Sequence, residues 1–278
     1  MSVIDGAIST RLDGRARIVL PEGTNPLIVA AATRAQQEKL CETVLLKGAD
    51  ALAQATEMLR SGQVDGMVAG IDHTTRDVIL AVRDGVGLAA GGKTFGSLFV
   101  MDFGKAHAPL ILADGGVTKN PTAEQLADIA ILTNDAAADI LNETPKLALT
   151  SFSTFGSGGR DPSIDKLQET LALVRQARPD ILIDGELQLD AAVNPRIGDK
   201  KAPDSPVAGQ ANVLILPDLN AANTLYKGLE QFAGAHAYGP VLLGFARPVS
   251  DLSRGSTVED IYGCLAIIAA QIAKDKND

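Results

Sequence analysis

Short runs of aliphatic residues alternate along this chain with longer, alanine-rich stretches, and that alternation limits the folds open to it. RIVLP at 17–21, TVLL at 43–46 and GMVA at 66–69 are too uniformly apolar to keep one face in water. The segments between them, 26–39 and 49–59, carry apolar residues at helical spacing, with Leu52, Ala55, Met58 and Leu59 on one side. Strands buried on both faces and separated by helices predict a mostly parallel sheet with helical layers above and below it. The pattern continues with strands expected at 97–101, 109–113, 147–150, 181–183, 213–216 and 241–243, and helices at 123–141, 163–176, 221–232 and 258–274. The chain has 278 residues, enough for one large domain or two small ones. The glycine-rich DGVGLAAGGK at 84–93 reads as a crossing between two such domains, and two sheets would make a cleft lined by strand ends and loops.

Net charge is −9 with no basic run, which argues against nucleic acid as a partner, while a small polyanion needs only a local basic pocket. No apolar run approaches the roughly 20 residues of a membrane span, so no membrane role is expected. MSVIDGAIST at the start lacks the basic and long apolar regions of a signal peptide. Cys41 and Cys264 stand in unrelated contexts and form no metal pattern, so they read as reduced core residues of a cytoplasmic protein.

Five segments carry chemistry. In 251-DLSRGSTVEDIY-262 both Thr257 with Asp260 and Ser256 with Glu259 fit a capping box, and capping alone accounts for Asp260 as well as catalysis does. It does not account for Ser253 and Arg254, since a guanidinium beside the amides of a helix start makes an anion site. In 151-SFSTFGSGGRDPS-163, the hydroxyls of Ser153, Thr154 and Ser157 and glycines such as Gly156 suit a phosphate, or simply a mobile loop. Asp184, Glu186 and Asp190 are expected just after a strand, as acid–base or metal-binding candidates, or as solvated acids. Asn220 is placed to cap the helix that carries Asn223 and, one turn on, Lys227, which alone would be a solvated charge. His73, Thr74, Thr75 and Arg76 follow another strand and look like ligand contacts, although a lone histidine is more often structural. His107 and His236 show no partners in the sequence.

PVAGQANVLILPDLNAANTLYK and GPVLLGFARPVSDLSRGSTVEDIY, with SFSTFGS, DGELQLDAA, RIVLPEG and GIDHTTRD, resemble the phosphate acetyl/butyryltransferase family over roughly residues 15–275. The resemblance implies two three-layer α/β domains of the isocitrate/isopropylmalate dehydrogenase kind with a cleft between them. It divides the chain into domain I (1–93 with 244–278) and domain II (94–243), and implies a homodimer. It implies reversible acyl transfer between coenzyme A and inorganic phosphate. Coenzyme A, acyl phosphate and phosphate would be substrates, with no tightly bound cofactor and no metal.

Carried over by motif, Asp260 would accept the proton of the thiol, Arg254 would hold phosphoryl oxygens and Ser253 would donate to the developing oxyanion or the phosphate. A free thiol titrates near about 8.5 and a free aspartate near about 3.9, so the transfer calls for a partly desolvated Asp260. The family usually inserts several dozen residues between the strand at 43–46 and the helix before 66–69, which this chain lacks. Acetyl-type members place an arginine where Leu80 stands, with Arg76 one turn earlier, and a lysine where Phe155 stands. DGVGLAAGG at 84–92 looks more like the butyryl-type branch. Three other readings follow: a butyryl or branched-chain acyltransferase, a catalytically weak sensor of coenzyme A or acyl phosphate, and, last, a nicotinamide-dependent decarboxylating dehydrogenase.

Overall fold

The computed structural model describes residues 15–141 and 143–275, which leaves the segment read for a signal peptide and the first residues of domain I outside it. The described chain separates into two compact units, 15–95 with 236–275 and 96–235.

The first unit holds β1 (Arg17–Leu20), α1 (Pro26–Gln37), β2 (Glu42–Leu45), α2 (Ala51–Arg60), β3 (Gly66–Ala69), α3 (Thr75–Gly85), β9 (His236–Leu243), β10 (Val249–Asp251) and α9 (Val258–Asp275). Its strands lie in the order β2-β1-β3-β10-β9, all parallel except β9. Every residue of β3 is buried, because α9 covers it on one side and α2 on the other. In α9, Ile261, Leu265, Ile268 and Ile272 form the expected stripe, and the residues from Ile261 to Ala270 are all buried. The close fit has local causes: a Cβ on Gly263 would lie 2.3 Å from the Tyr238 ring. Pro26 opens α1, and Asn25 caps it by accepting from the Leu27 N–H at 2.9 Å.

The second unit holds β4 (Gly96–Asp102), β5 (Leu110–Ala113), α4 (Ala123–Leu141), β6 (Leu147–Thr150), α5 (Pro162–Ala177), β7 (Ile183–Leu187), α6 (Leu189–Val193), α7 (Pro195–Lys201), β8 (Val213–Ile215) and α8 (Leu219–Ala233). The order is β4-β5-β8-β6-β7, parallel except for the β4–β5 pair. α4 packs with α5 and on β4, β5 and β8, while α8 packs on β4 and β5.

Mostly parallel sheets between helical layers are the expected class. Several elements differ from their sequence reading. The strand expected at 181–183 starts at Ile183 and runs to Leu187, so Asp184 and Glu186 lie inside it. The aliphatic pattern breaks there because both acids are buried against dedicated donors. β9 runs from His236, and α3 and β10 carry no strong signal: β10 is only Val249-Ser250-Asp251. β9 belongs with the first unit because it pairs with β10 and packs on α9.

Candidate active site

β1, β3 and β10 are parallel, so the chain leaves all three at one edge of the first unit's sheet, where ligands of parallel sheets gather. The segments that emerge are 21–25, 70–74 and 252–257, and the Leu252 N–H bonds the Ala69 carbonyl at 2.5 Å. Glu22 organises the middle one. Its buried carboxylate accepts the N–H groups of Gly70 (3.1 Å), Ile71 (3.3 Å), Asp72 (2.9 Å) and His73 (3.1 Å), and meets His73 Nδ1 at 2.7 Å. Four consecutive amides wrapped around one carboxylate make a rigid loop, and the contact at Nδ1 turns Nε2 of His73 away from Glu22.

Thr74 then caps α3, accepting from the Asp77 N–H at 3.2 Å and donating its hydroxyl to Asp77 Oδ2 at 2.7 Å. Thr75 and Arg76 stand exposed on the first turn of α3. Next to this loop, Ser253 and Arg254 are also exposed, in a turn closed by the Ser256 N–H on the Ser253 carbonyl at 2.9 Å. Among the described residues neither Arg76 nor Arg254 has an ion-pair or hydrogen-bond partner. Two unpaired guanidiniums beside the N-termini of α3 and α9 can hold an anion.

Of the two roles that the sequence left open for Asp260, the cap is formed. Its Oδ2 accepts from the Thr257 N–H and hydroxyl, each at 2.8 Å, and the Asp260 N–H returns to the Thr257 hydroxyl at 3.2 Å. That is a capping box, formed by Thr257 and Asp260; Glu259 instead binds Arg34 at 2.5 Å. Asp260 Oδ1 stays outside the cap and faces His236 Nδ1 at 3.7 Å, and the side chain is 22% exposed. His236 was missed because it is brought to α9 by β9, which nothing in its local sequence announces. Glu22 was missed too, its only signal being a lone acid directly after a strand.

Asp251, at the end of β10, is fully buried, and neither of its oxygens has a hydrogen-bond partner. Burial pushes its pKa up to about 7; the Thr75 hydroxyl, nearby but outside hydrogen-bonding geometry, offsets part of this and the charge of Glu22 adds to it. Gly70 makes the arrangement possible. Its φ is +116°, and a Cβ there would sit 2.3 Å from Asp251 Oδ1.

In the second unit the expected phosphate loop binds a carboxylate of its own protein. Glu186 Oε1 accepts from the Gly156 N–H at 2.6 Å and the Ser153 hydroxyl at 2.9 Å. Burial pushes the Glu186 pKa up, but these bonds and that from its own N–H outweigh it and hold the group below the usual range. The remaining N–H groups also turn inward: Thr154 to Ser157 Oγ at 3.0 Å, Phe155 to the Glu186 carbonyl at 3.1 Å, and Gly158 to Ser153 Oγ at 2.8 Å. Gly156 and Ser157 stay exposed, flanked by Phe152 (58%) and Phe155 (48%). The two other acids of that stretch are also occupied, Asp184 by Arg175 (2.9 Å) and Ser205 (2.5 Å), and Asp190 by Lys201 (2.9 Å).

α8 is capped by Asp218, which accepts from the Ala221 N–H at 2.9 Å, so Asn220 lies exposed in its first turn instead of capping it. Asn223 donates to the Tyr226 hydroxyl at 3.3 Å, and Lys227 lies 4.8 Å over the Tyr226 ring. Cys41 and Cys264 are buried free thiols. Among the described residues, no group of three or more His, Cys, Asp or Glu is arranged to hold a metal, and no helix is long and apolar enough to cross a membrane.

Residues 46–270 match the family described as phosphate acetyl/butaryl transferase. A phosphate acetyltransferase of Clostridium acetobutylicum is 45% identical over 227 residues, 80% of this chain and 68% of that one. That of Thermoanaerobacterium thermosaccharolyticum is 34% identical and aligns with 98% of this chain and 99% of its own. The latter alignment spans 328 positions, so the relative carries segments that these 278 residues lack. A phosphotransacetylase of Streptococcus pyogenes superposes with a TM-score of 0.89 at 32% identity, covering 98% of both chains. Likeness to a 4-hydroxythreonine-4-phosphate dehydrogenase of Klebsiella pneumoniae, with a TM-score of 0.57 at 11% identity, is one of fold alone. By its sequence and its fold, this chain belongs to the phosphate acetyl/butaryl transferase family.

Proposed function

We propose that this protein is a phosphate acyltransferase that moves a short acyl group, acetyl first, between coenzyme A and inorganic phosphate. The observation that carries the reading is the Ser253–Arg254 turn. An exposed hydroxyl and an unpaired guanidinium stand beside Asp260, whose Oδ1 is outside the helix cap. Relatives from 34% to 45% identical bear the name phosphate acetyltransferase, which favours acetyl over butyryl.

In the thioester-forming direction, Asp260 Oδ1 takes the proton of the coenzyme A thiol. The thiolate adds to the acyl carbonyl, a C–S bond forms, the C–O bond to phosphorus breaks, and phosphate leaves with the electron pair. The proton on Asp260 then passes to phosphate or solvent. Arg254 holds the phosphoryl oxygens as charge gathers on them, and Ser253 donates to the oxyanion. His236, on the far side of Oδ1, orients the carboxylate. His73, Thr74, Thr75 and Arg76 contact the substrates in the same unit. Ser153, Thr154, Gly156 and Ser157 act mainly by shaping their loop, and Asn220, Asn223 and Lys227 offer polar contacts along α8. Coenzyme A enters as a substrate, no covalent enzyme intermediate is needed, and positioning supplies much of the rate. The same reading makes the protein a cytoplasmic homodimer.

Acetyl, propionyl, butyryl and isobutyryl phosphates, each given with coenzyme A, test the reading. Acetyl should turn over with the highest kcat/KM. A preference for butyryl or isobutyryl would move the protein to the other branch, and no turnover with any of them would end the reading.

A further inference from the structure

Two carboxylates meet one glycine at the proposed site, and only one of them accepts N–H groups from the protein. Glu22 holds the Gly70 N–H together with those of Ile71, Asp72 and His73. Asp251 presses on the Cα side of Gly70, fully buried, with no partner for either oxygen. A buried carboxyl with no donor to stabilise its charge, and with a second acid nearby, favours its neutral form. Asp251 also lies two residues before Ser253, no more than about 7 Å along the backbone.

We propose that Asp251 is a proton-holding positioning residue: it is a neutral acid while acyl phosphate is bound, and its ionisation weakens the binding of that dianion. The proposal rests on the acyltransferase reading. The groups that face Asp251 fit a neutral acid. Glu22 adds negative charge, and the Thr75 hydroxyl approaches from α3. From β9 the residues paired with β10 are Val241 and Leu242. From α9 comes Cys264, a thiol that burial keeps protonated. An ionised Asp251 would thus place an uncompensated charge in a dry pocket beneath the anion, where water screens it little.

The test is the KM for acetyl phosphate, which stays dianionic across the range, between pH 6.5 and 8.5 in wild type and in Asp251→Asn. If only the neutral form is competent, KM in wild type rises about tenfold or more over this range and stays flat in the variant. A purely structural role for Asp251 would not produce that pH course. A flat wild-type KM, or a rise that persists in Asp251→Asn, overturns the proposal and leaves the acyltransferase reading standing. Absence of any turnover overturns both. Should Asp251→Asn fail to fold, wild type in weak buffer at pH 8 should take up protons when acetyl phosphate is added without coenzyme A. No uptake overturns the proposal.

Discussion

Thr257 and Asp260 cap α9 reciprocally, yet they use only one of the two carboxylate oxygens: Oδ2 is held twice at 2.8 Å while Oδ1 faces His236. The cap and the proposed proton transfer thus call on different atoms of one side chain, and substitutions can separate them. Thr257→Ala removes the cap and should cost about 1 kcal/mol in urea denaturation, with only a modest loss of kcat. Asp260→Asn keeps an acceptor for the cap but loses the base, and kcat should fall by about 10²–10⁴ with little change in Tm. Equal losses of kcat in both variants would show that Asp260 acts only as a cap.

Glu22→Gln tests the loop at 70–73. An amide offers one oxygen to donors that now share two, and its NH₂ meets the Gly70–His73 amides donor to donor. Leaving buried donors unsatisfied costs about 1–3 kcal/mol each, so the variant should lose about 3 kcal/mol of stability and gain proteolytic sensitivity near residue 72. Unchanged stability would mean that the loop does not depend on the carboxylate.

The raised pKa of Asp251 predicts a stability slope. The folded protein binds this proton up to about pH 7, and the unfolded chain releases it near about pH 4. The folded state therefore carries the extra proton between those values, and the contribution of Asp251 to stability falls as pH rises through that window. The loss amounts to about 4 kcal/mol at most. Relative to wild type, Asp251→Asn should gain Tm from pH 5 to about pH 7 and level off above it. A constant difference in Tm would contradict the burial argument.

Glu186 has the opposite sign. Its pKa is held below the usual range, so its stabilising effect is complete above the unfolded value and is lost as pH falls through the folded one. Glu186→Gln should lower Tm at pH 7, and the gap to wild type should close in acid. A gap that widens in acid would be wrong for a carboxylate held by the Gly156 N–H and the Ser153 hydroxyl.

The layered α/β architecture was legible because strands buried on both faces leave long aliphatic runs, as at 17–20, 66–69 and 213–215. β7 was half hidden because its acids are neutralised by partners distant in sequence, Ser153, Arg175 and Ser205. Ser253, Arg254 and Asp260 stood out in a contiguous motif, and the Thr257–Asp260 box was readable from spacing alone. The loop at 151–159 was readable as an anion site, but its glycines and hydroxyls, which suit a phosphate, also suit the internal carboxylate of Glu186. Glu22, Asp251 and His236 were invisible, since each acquires its meaning from a neighbouring strand and not from its own segment.

In the proposed mechanism Arg254 and Asp260 carry acyl transfer to coenzyme A. The direct measurement is the rate of acetyl-thioester formation from acetyl phosphate and coenzyme A, in wild type, Arg254→Ala and Asp260→Asn, with folding of each checked by circular dichroism. Wild type should turn over, and both folded variants should lose about 10²–10³ or more in rate. A wild type that binds coenzyme A but forms no thioester, or variants that turn over at the wild-type rate, would contradict that mechanism.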